Sequence, residues 1–397
     1  MIRLAVFATN RKALFLSFTI TLRYLVTYIS SFRQIQIIMS DVPPFQQRLM
    51  NLVMESMLAS GVALGSKLGL FEALATIGSP EKPATPKEVA DKAGCKERYV
   101  KEWLGAMACG DLIEVTEDET FYIKPENAQF LNSQNLAITQ PSMNLAMLEP
   151  YPKLLQVIKK DGPLGLSYEN YSNFYGEMSR VSESLHRAHM FSDFIPLTGM
   201  KDKLEAGGIK VVDVGCGNGF HAALLAEHYP KCQFVGVDLS QTAIAEAKKR
   251  KKEANGESFT NLEFHVMDAG NLSPDWTGEF DLALIFDACH DQMRPDLCLK
   301  EIHRVLKPGC KLAMVEIKGT SNIFKDKQAY GKAALFPYTA SLLHCLPVGS
   351  NSPDALCLGA AWGQAKAESL IKSAGFSKVD IMDTPFFAIN VLYICHK

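Results

Sequence analysis

Between Phe45 and Leu74 apolar residues recur at helical spacing, at Leu49, Leu52, Val53, Met57, Val62, Leu64 and Leu68. Gly69-Leu70-Phe71 leads into a short second helix. Thr85-Pro86-Lys87-Glu88 supplies a start for a third: a capping hydroxyl, a proline suited to the first turn and a glutamate placed to complete a capping box. That helix ends at Ala93-Gly94. From Lys96 to Cys109 a further helix carries Tyr99, Trp103, Leu104 and Met107 on one face. Leu112 to Val115 and Phe121 to Ile123 alternate like the strands of a hairpin around an acidic turn. Helix, turn, helix and hairpin in this order predict a winged helix.

Residues from about 127 to 208 read as a mostly helical connector. Its Tyr151, Tyr168, Tyr171, Phe174, Tyr175, His186, His189, Met190 and Phe191 either wall a pocket or simply pack. From Ile209 onward short apolar runs alternate with helical segments, which predicts a largely parallel sheet with helices on both faces. Two late runs, Val379 to Met382 and Phe387 to Ile394, are expected to pair as an antiparallel hairpin that closes the sheet. Between Gly319 and Gly363 the chain leaves the sheet, and this insertion is expected to cap the pocket. Its His344-Cys345 pair is read as lid packing, with a second polar contact or a nucleophile pair as the alternative.

A chain of 397 residues has room for two domains. Its net charge of -2 gives no general pull toward nucleic acid or acidic membranes. Within the winged helix, acids outnumber bases between Glu81 and Lys124. Phosphate binding needs the opposite balance, so a DNA-binding role is disfavoured. The ten cysteines are scattered without paired spacing, which suits a reducing compartment and shows no zinc motif. The first forty residues contain Arg3, Arg11, Lys12, Arg23 and Arg33 before the first acid, Asp41. They read as an extension without a fold role, or as a mitochondrial leader. The apolar run from Ala13 to Leu22 is too short to span a bilayer.

The chemistry concentrates after Val211-Val212. That run ends at Asp213, followed by glycines at 215, 217 and 219 and a helix beginning Ala222-Ala223-Leu224. A strand, a glycine turn and a helix start bring bare backbone and free N–H groups to a ligand. Phe234-Val235-Gly236-Val237 ends at Asp238, about 20 residues beyond the glycines, where a carboxylate accepts from both ribose hydroxyls of a nucleoside. Dinucleotide sites usually space their glycines G-x-G-x-x-G. Here the spacing is G-x-G-x-G after an acid, which resembles the cofactor loop of class I S-adenosylmethionine-dependent methyltransferases. The likeness continues through Val266-Met267-Asp268-Ala269, the run Phe280 to Phe286, and His303-Arg304-Val305-Leu306-Lys307-Pro308-Gly309-Cys310-Lys311-Leu312.

The resemblance implies an α/β fold: a Rossmann-like seven-stranded sheet behind an N-terminal, mainly α winged-helix domain. It implies S-adenosyl-L-methionine as cofactor, held by Asp213, Gly215, Gly217, Gly219, Asp238, Leu239, Asp268, Ala269 and Phe286. Cys289-His290-Asp291-Gln292 follows the fourth strand, where small-molecule O-methyltransferases of the plant type carry a His-Asp pair. That likeness gives His290 the role of general base and Glu316 that of the carboxylate orienting it. Gln292 departs from the plant enzymes' aromatic residue, and the wording from Phe286 to Gln292 is nearer a poorly characterised winged-helix methyltransferase group. Winged helices in such enzymes build a dimer and roof the pocket.

The expected organisation is an extension at 1–40, a winged-helix dimerisation domain at 41–126, a helical connector at 127–208 and a methyltransferase domain at 209–397. The expected function is methyl transfer to a small-molecule hydroxyl by a cytoplasmic homodimer, without metal, nucleic acid or membrane span. The rivals are an S-adenosylmethionine-binding transcriptional regulator, an N-methyltransferase and a nicotinamide-dependent oxidoreductase.

Overall fold

The structure is a computed structural model and describes residues 42–387 and 389–397. The expectation for residues 1–40 lies outside the described residues. The chain divides into two compact units, one ending at Gln129 and one running from Phe130 to Lys397.

In the first unit, α1 (Pro44–Leu68) ends at Gly69, which adopts the left-handed φ of 65° that a side chain would strain, and α2 (Leu70–Ile77) follows. α3 (Pro86–Ala93) begins with the expected capping box: the Thr85 hydroxyl accepts from the Glu88 backbone, and the Glu88 carboxylate accepts from the Thr85 N–H at 2.8 Å. α4 (Glu97–Cys109) buries Val100, Trp103, Leu104 and Met107. Tyr99, expected on that face, is 73% exposed, because Val100 takes the inward position one residue later. α1 packs closely on α4 because Gly65 has no side chain; a Cβ there would lie 2.4 Å from the Trp103 ring. Trp103 Nε1 donates to the Gly61 carbonyl at 2.9 Å. The hairpin is shorter than its apolar runs, with β1 (Glu114–Val115) pairing antiparallel to β2 (Phe121–Tyr122).

The second unit opens with helices, α5 (Leu136–Met147), α6 (Tyr151–Val157) and α7 (Phe174–His189), the last running into a π-helical turn at Met190–Phe194. The alternation then builds a seven-stranded sheet: β3 (Lys210–Val214), α8 (Phe220–His228), β4 (Gln233–Asp238), α9 (Gln241–Ala247), β5 (Leu262–Val266), β6 (Phe280–Phe286), α10 (Pro295–Val305) and β7 (Leu306–Ile317). After β7 come α11 (Ile323–Tyr330), α12 (Leu335–Ala340), a π-helical turn at Ser341–Cys345 and α13 (Gly363–Ser373). β8 (Lys378–Asp383) and β9 (Asn390–His396) complete the sheet. Its strand order is β5-β4-β3-β6-β7-β9-β8. The first five are parallel, and β9 inserts antiparallel between β7 and β8. Lys307-Pro308-Gly309 is carried within β7, where the pairing with β6 shifts register between Phe280 and Leu282.

The sheet strands are apolar on both sides because helices cover both. Val212, Val214, Ile285 and Met314 face one packed layer with α10 and α13; Val211, Leu282, Leu284 and Val315 face another with α8. The strand order reverses between β3 and β6. Ligands of open α/β sheets bind at that reversal, beyond the carboxyl ends of the strands.

Candidate active site

Two loops leave the sheet side by side at the reversal. The first, after β3, turns through Gly215, Gly217 and Gly219 with φ of 69°, 53° and 77°, all in the left-handed region. Gly215 lies against the second loop: a Cβ there would come within 2.6 Å of the Ala288 Cβ. At Gly219 a Cβ would meet the Phe264 ring at 2.4 Å, whereas at Gly217 it would meet nothing within 4 Å. The Gly215 and Cys216 N–H groups are anchored on the Val237 carbonyl at 2.8 and 2.9 Å. Asp238, at the end of β4, holds the turn from the other side, accepting from Gly217 N–H at 2.9 Å and from Ser240 N–H at 2.8 Å. Burial holds the Asp238 carboxyl above its ordinary range despite those two donors.

Asp213 is buried at the end of β3, and its Oδ2 has no hydrogen-bond partner among the described residues. Burial first, and then the charge of Asp238, push its carboxyl up to about 8. S-adenosylmethionine fits this set. Bound there, it would offer a sulfonium and an ammonium to an uncompensated acid and ribose hydroxyls to Asp238. Asp268 leaves the neighbouring strand β5, exposed and with Oδ1 accepting from Gly270 N–H at 2.8 Å. Ala269 is buried, Leu239 is exposed, and Phe286 stacks on His221 with 4.0 Å between ring centroids.

The second loop carries the candidate reacting groups. Asp287 turns it sharply off β6 with φ 47°, strained for a residue with a side chain, and is pinned by Asn390 Nδ2 on Oδ1 at 2.6 Å. Burial, and then Glu316, push its carboxyl up to about 7. Glu316 lies near the end of β7 and is wholly buried. Its Oε1 accepts from the backbone N–H groups of Cys289 and His290 at 3.0 and 3.2 Å, and its Oε2 is 2.5 Å from His290 Nδ1. Trp362 Nε1 donates to the same Oε2 at 3.3 Å. The ring of His290 is therefore fixed with Nδ1 on Glu316 and Nε2 turned toward Asp291, 3.2 Å from Oδ1. Burial alone would lower the imidazole's affinity for a proton; Glu316 and Asp291 together overcome it and raise His290 well above its ordinary value.

Aromatic groups from the connector close on this corner. The Tyr168 hydroxyl donates to Asp291 Oδ2 at 3.2 Å, and the Tyr171 hydroxyl to the Leu343 carbonyl at 2.7 Å. His344 is wholly buried, stacked on Phe174 with 3.6 Å between centroids and edge-on to Tyr171. Burial pulls its imidazole down to about 4. From the 319–363 insertion, His344 packs among Phe174 and Tyr171, and Cys345 lies beside His290 and Asp291. The sequence reading did not find Asp291 as the second carboxylate on His290, nor Trp362 as a donor to Glu316. Asp291 was visible as the neighbour of His290; no local pattern marks Trp362.

Comparison with known proteins agrees with this architecture. Residues 205–375 match the family described as Methyltransferase domain, and residues 56–133 the one described as Rv2258c-like winged HTH domain. The phthiotriol/phenolphthiotriol dimycocerosates methyltransferase of Mycobacterium tuberculosis is 31% identical over 121 residues, 30% of this chain and 42% of that protein. The fatty-acid O-methyltransferase of Mycolicibacterium smegmatis is 35% identical over 129 residues, 32% of this chain and 44% of that protein. The chain thus spans less than half the length of these curated relatives. Human N-acetylserotonin methyltransferase, solved in complex with S-adenosylmethionine, shares the fold with a TM-score of 0.59 at 17% identity, over 90% of this chain and 99% of that one. The chain thus carries an Rv2258c-like winged helix-turn-helix domain followed by a methyltransferase domain.

Proposed function

We propose that the chain transfers the methyl group of S-adenosylmethionine to a hydroxyl of a small molecule. The observation that carries this reading is the contact between the two loops. Gly215 packs on Ala288, so the cofactor turn and the His290–Glu316 pair share one corner of the sheet. The Gly215–Gly219 turn, Asp213 and Asp238 hold the cofactor, with Leu239, Asp268, Ala269 and Phe286 around it. The bound cofactor supplies an electrophilic methyl on sulfur.

The rest falls to the chain's own groups. A phenol, with an ordinary pKa of about 10, is mostly neutral at pH 7 and a poor nucleophile. His290 Nε2 takes its proton as the oxygen attacks. Glu316 holds the ring and stabilises the imidazolium, and Asp291 adds a second negative charge beside it. Tyr168, Tyr171 and Phe174 exclude water and orient a flat acceptor. The relatives named as O-methyltransferases support oxygen as the accepting atom.

The winged helix is read as a dimerisation module. α1 leaves Phe45, Leu49, Leu52, Val53 and Met57 exposed, an apolar surface that a second copy would cover. Among the described residues α1 is also the one helix long and apolar enough to cross a membrane, by length and composition only. All ten cysteines are free, which supports a cytoplasmic location.

The test is two-part. Calorimetry of the full chain with S-adenosylmethionine is expected to show one site. Incubation with methyl-labelled cofactor and a metabolite extract is expected to label a hydroxyl-bearing product. Cofactor binding with label on a nitrogen would replace this reading with N-methylation; no binding would remove it.

A further inference from the structure

Methyl transfer leaves several buried polar groups in the same corner unexplained. A ring nitrogen of His290, a carboxylate oxygen of Asp291 and Cys345 Sγ lie within 4.8 Å of one another. His290 Nε2 and Asp291 Oδ1 are 3.2 Å apart, yet Oδ1 is buried without a hydrogen bond, so the two atoms sit side by side rather than donor to acceptor. His344 is wholly buried and neither ring nitrogen has a hydrogen-bond partner; its Nδ1 stands 3.9 Å from Asp291 Oδ2. A buried polar group without a partner is destabilising, so several together in one corner call for a shared partner. The corner is also rich in acids, with Asp287, Asp291 and Glu316 around a single imidazole.

We propose that His290, Asp291 and Cys345 bind one zinc-class divalent cation, with a water molecule completing the tetrahedron. The donor set is nitrogen, oxygen and thiolate sulfur, which suits zinc and disfavours magnesium or calcium. Tetrahedral donors about 2.0–2.3 Å from a zinc ion lie roughly 3.3–3.8 Å from each other, so closing the cluster takes side-chain movements on the order of 1 Å. Glu316 on Nδ1 is the partner that a metal-ligating histidine requires on its other nitrogen, fixing the tautomer that leaves Nε2 to the ion. Cys345 lies on a π-helical turn, an irregularity frequent at functional sites. The ligands come from two distant segments, so no spacing motif announces them.

Cation and acceptor proton are alternatives at Nε2. A bound ion removes the base, while the glycine turn that holds the cofactor is untouched. Metal occupancy therefore switches methyl transfer off without displacing S-adenosylmethionine. Cation binding is measurable whether or not methyl transfer is the activity, so the two readings stand or fall separately.

The test titrates the full, reduced chain with Co²⁺ as a spectroscopic surrogate. The expected result is one equivalent bound, intense tetrahedral ligand-field absorption and a thiolate-to-cobalt charge-transfer band, all reversed by one equivalent of Zn²⁺. Cys345→Ser abolishes the charge-transfer band, and Asp291→Asn weakens Co²⁺ binding at least tenfold. A double variant of the exposed thiols, Cys109→Ser with Cys357→Ser, retains the band. Circular dichroism and cofactor calorimetry check that each variant is folded. A band that survives Cys345→Ser, or disappears with the double variant, or never forms, overturns the proposal. Should Cys345→Ser fail to fold, the other two variants decide the question.

Discussion

His290 and Asp213 carry the sharpest expectations at the scale of single residues. Replacing His290 by alanine removes the proton acceptor and is expected to slow methyl transfer about a hundredfold or more while leaving cofactor affinity unchanged. Steady-state rates beside calorimetry check this, and an unchanged rate would take the base away from His290. Because Glu316 and Asp291 raise His290, its neutral form is populated only above the usual histidine range. The rate is therefore expected to keep climbing with pH beyond about 6.5, and a plateau from that point would show the carboxylates are not acting on it. Asp213 gives an independent handle. Its folded-state carboxyl sits near 8 against an ordinary 3.8, so the folded chain holds the proton more tightly than the unfolded one. The stability this contributes is complete below about pH 4 and is lost as the pH rises toward 8. A cationic cofactor reverses the preference, so binding at pH 7 is expected to release a proton. Calorimetry in buffers of different ionisation enthalpy measures that release, and heats independent of buffer would contradict it.

At the scale of elements, what the sequence could reveal depended on whether the cause was local. The Thr85–Glu88 capping box, the Gly94 stop and the β8–β9 hairpin are local matters of hydrogen bonding and apolar alternation, and all three form. The glycine spacing, the acid ending β4 and the His-Asp pair after β6 were likewise readable, because backbone strain and ligand contact restrict which residue types serve there. What escaped depended on distance. Trp362 reaches Glu316, and Cys345 reaches His290, only because the insertion folds back over β6 and β7. The register shift that carries Lys307-Pro308-Gly309 into β7 is likewise set by the neighbouring strand. Gly215 joins both kinds: its spacing was visible, but its contact with Ala288 was not. Gly215→Ala adds a Cβ 2.6 Å from Ala288 in a left-handed conformation. Strain of about 1–3 kcal/mol is expected, together with loss of cofactor binding. Thermal unfolding and calorimetry on that variant check both, and full cofactor affinity would show that the turn does not shape the site.

For the whole molecule, the winged-helix unit carries its own expectations. The acidic balance of the winged helix argues that it does not read DNA, and a mobility-shift assay on random duplexes is expected to show no complex at moderate salt. The apolar face of α1 argues for a second copy, so light scattering in solution is expected to return twice the chain mass. Polar replacement of Leu52 and Met57 is expected to return the monomer. A monomeric wild-type chain would leave that face to another occupant. Every group assigned to the proposed methyl transfer lies beyond Phe130, in the second unit.

The turn at Gly215 and the acid at Asp238 are the proposed grip on S-adenosylmethionine. Isothermal calorimetry of the full chain and of Asp238→Ala tests this most directly. One saturable site in the wild type, abolished by that substitution with the fold intact, is the predicted result. No heat in the wild type, or equal affinity in the variant, would contradict it.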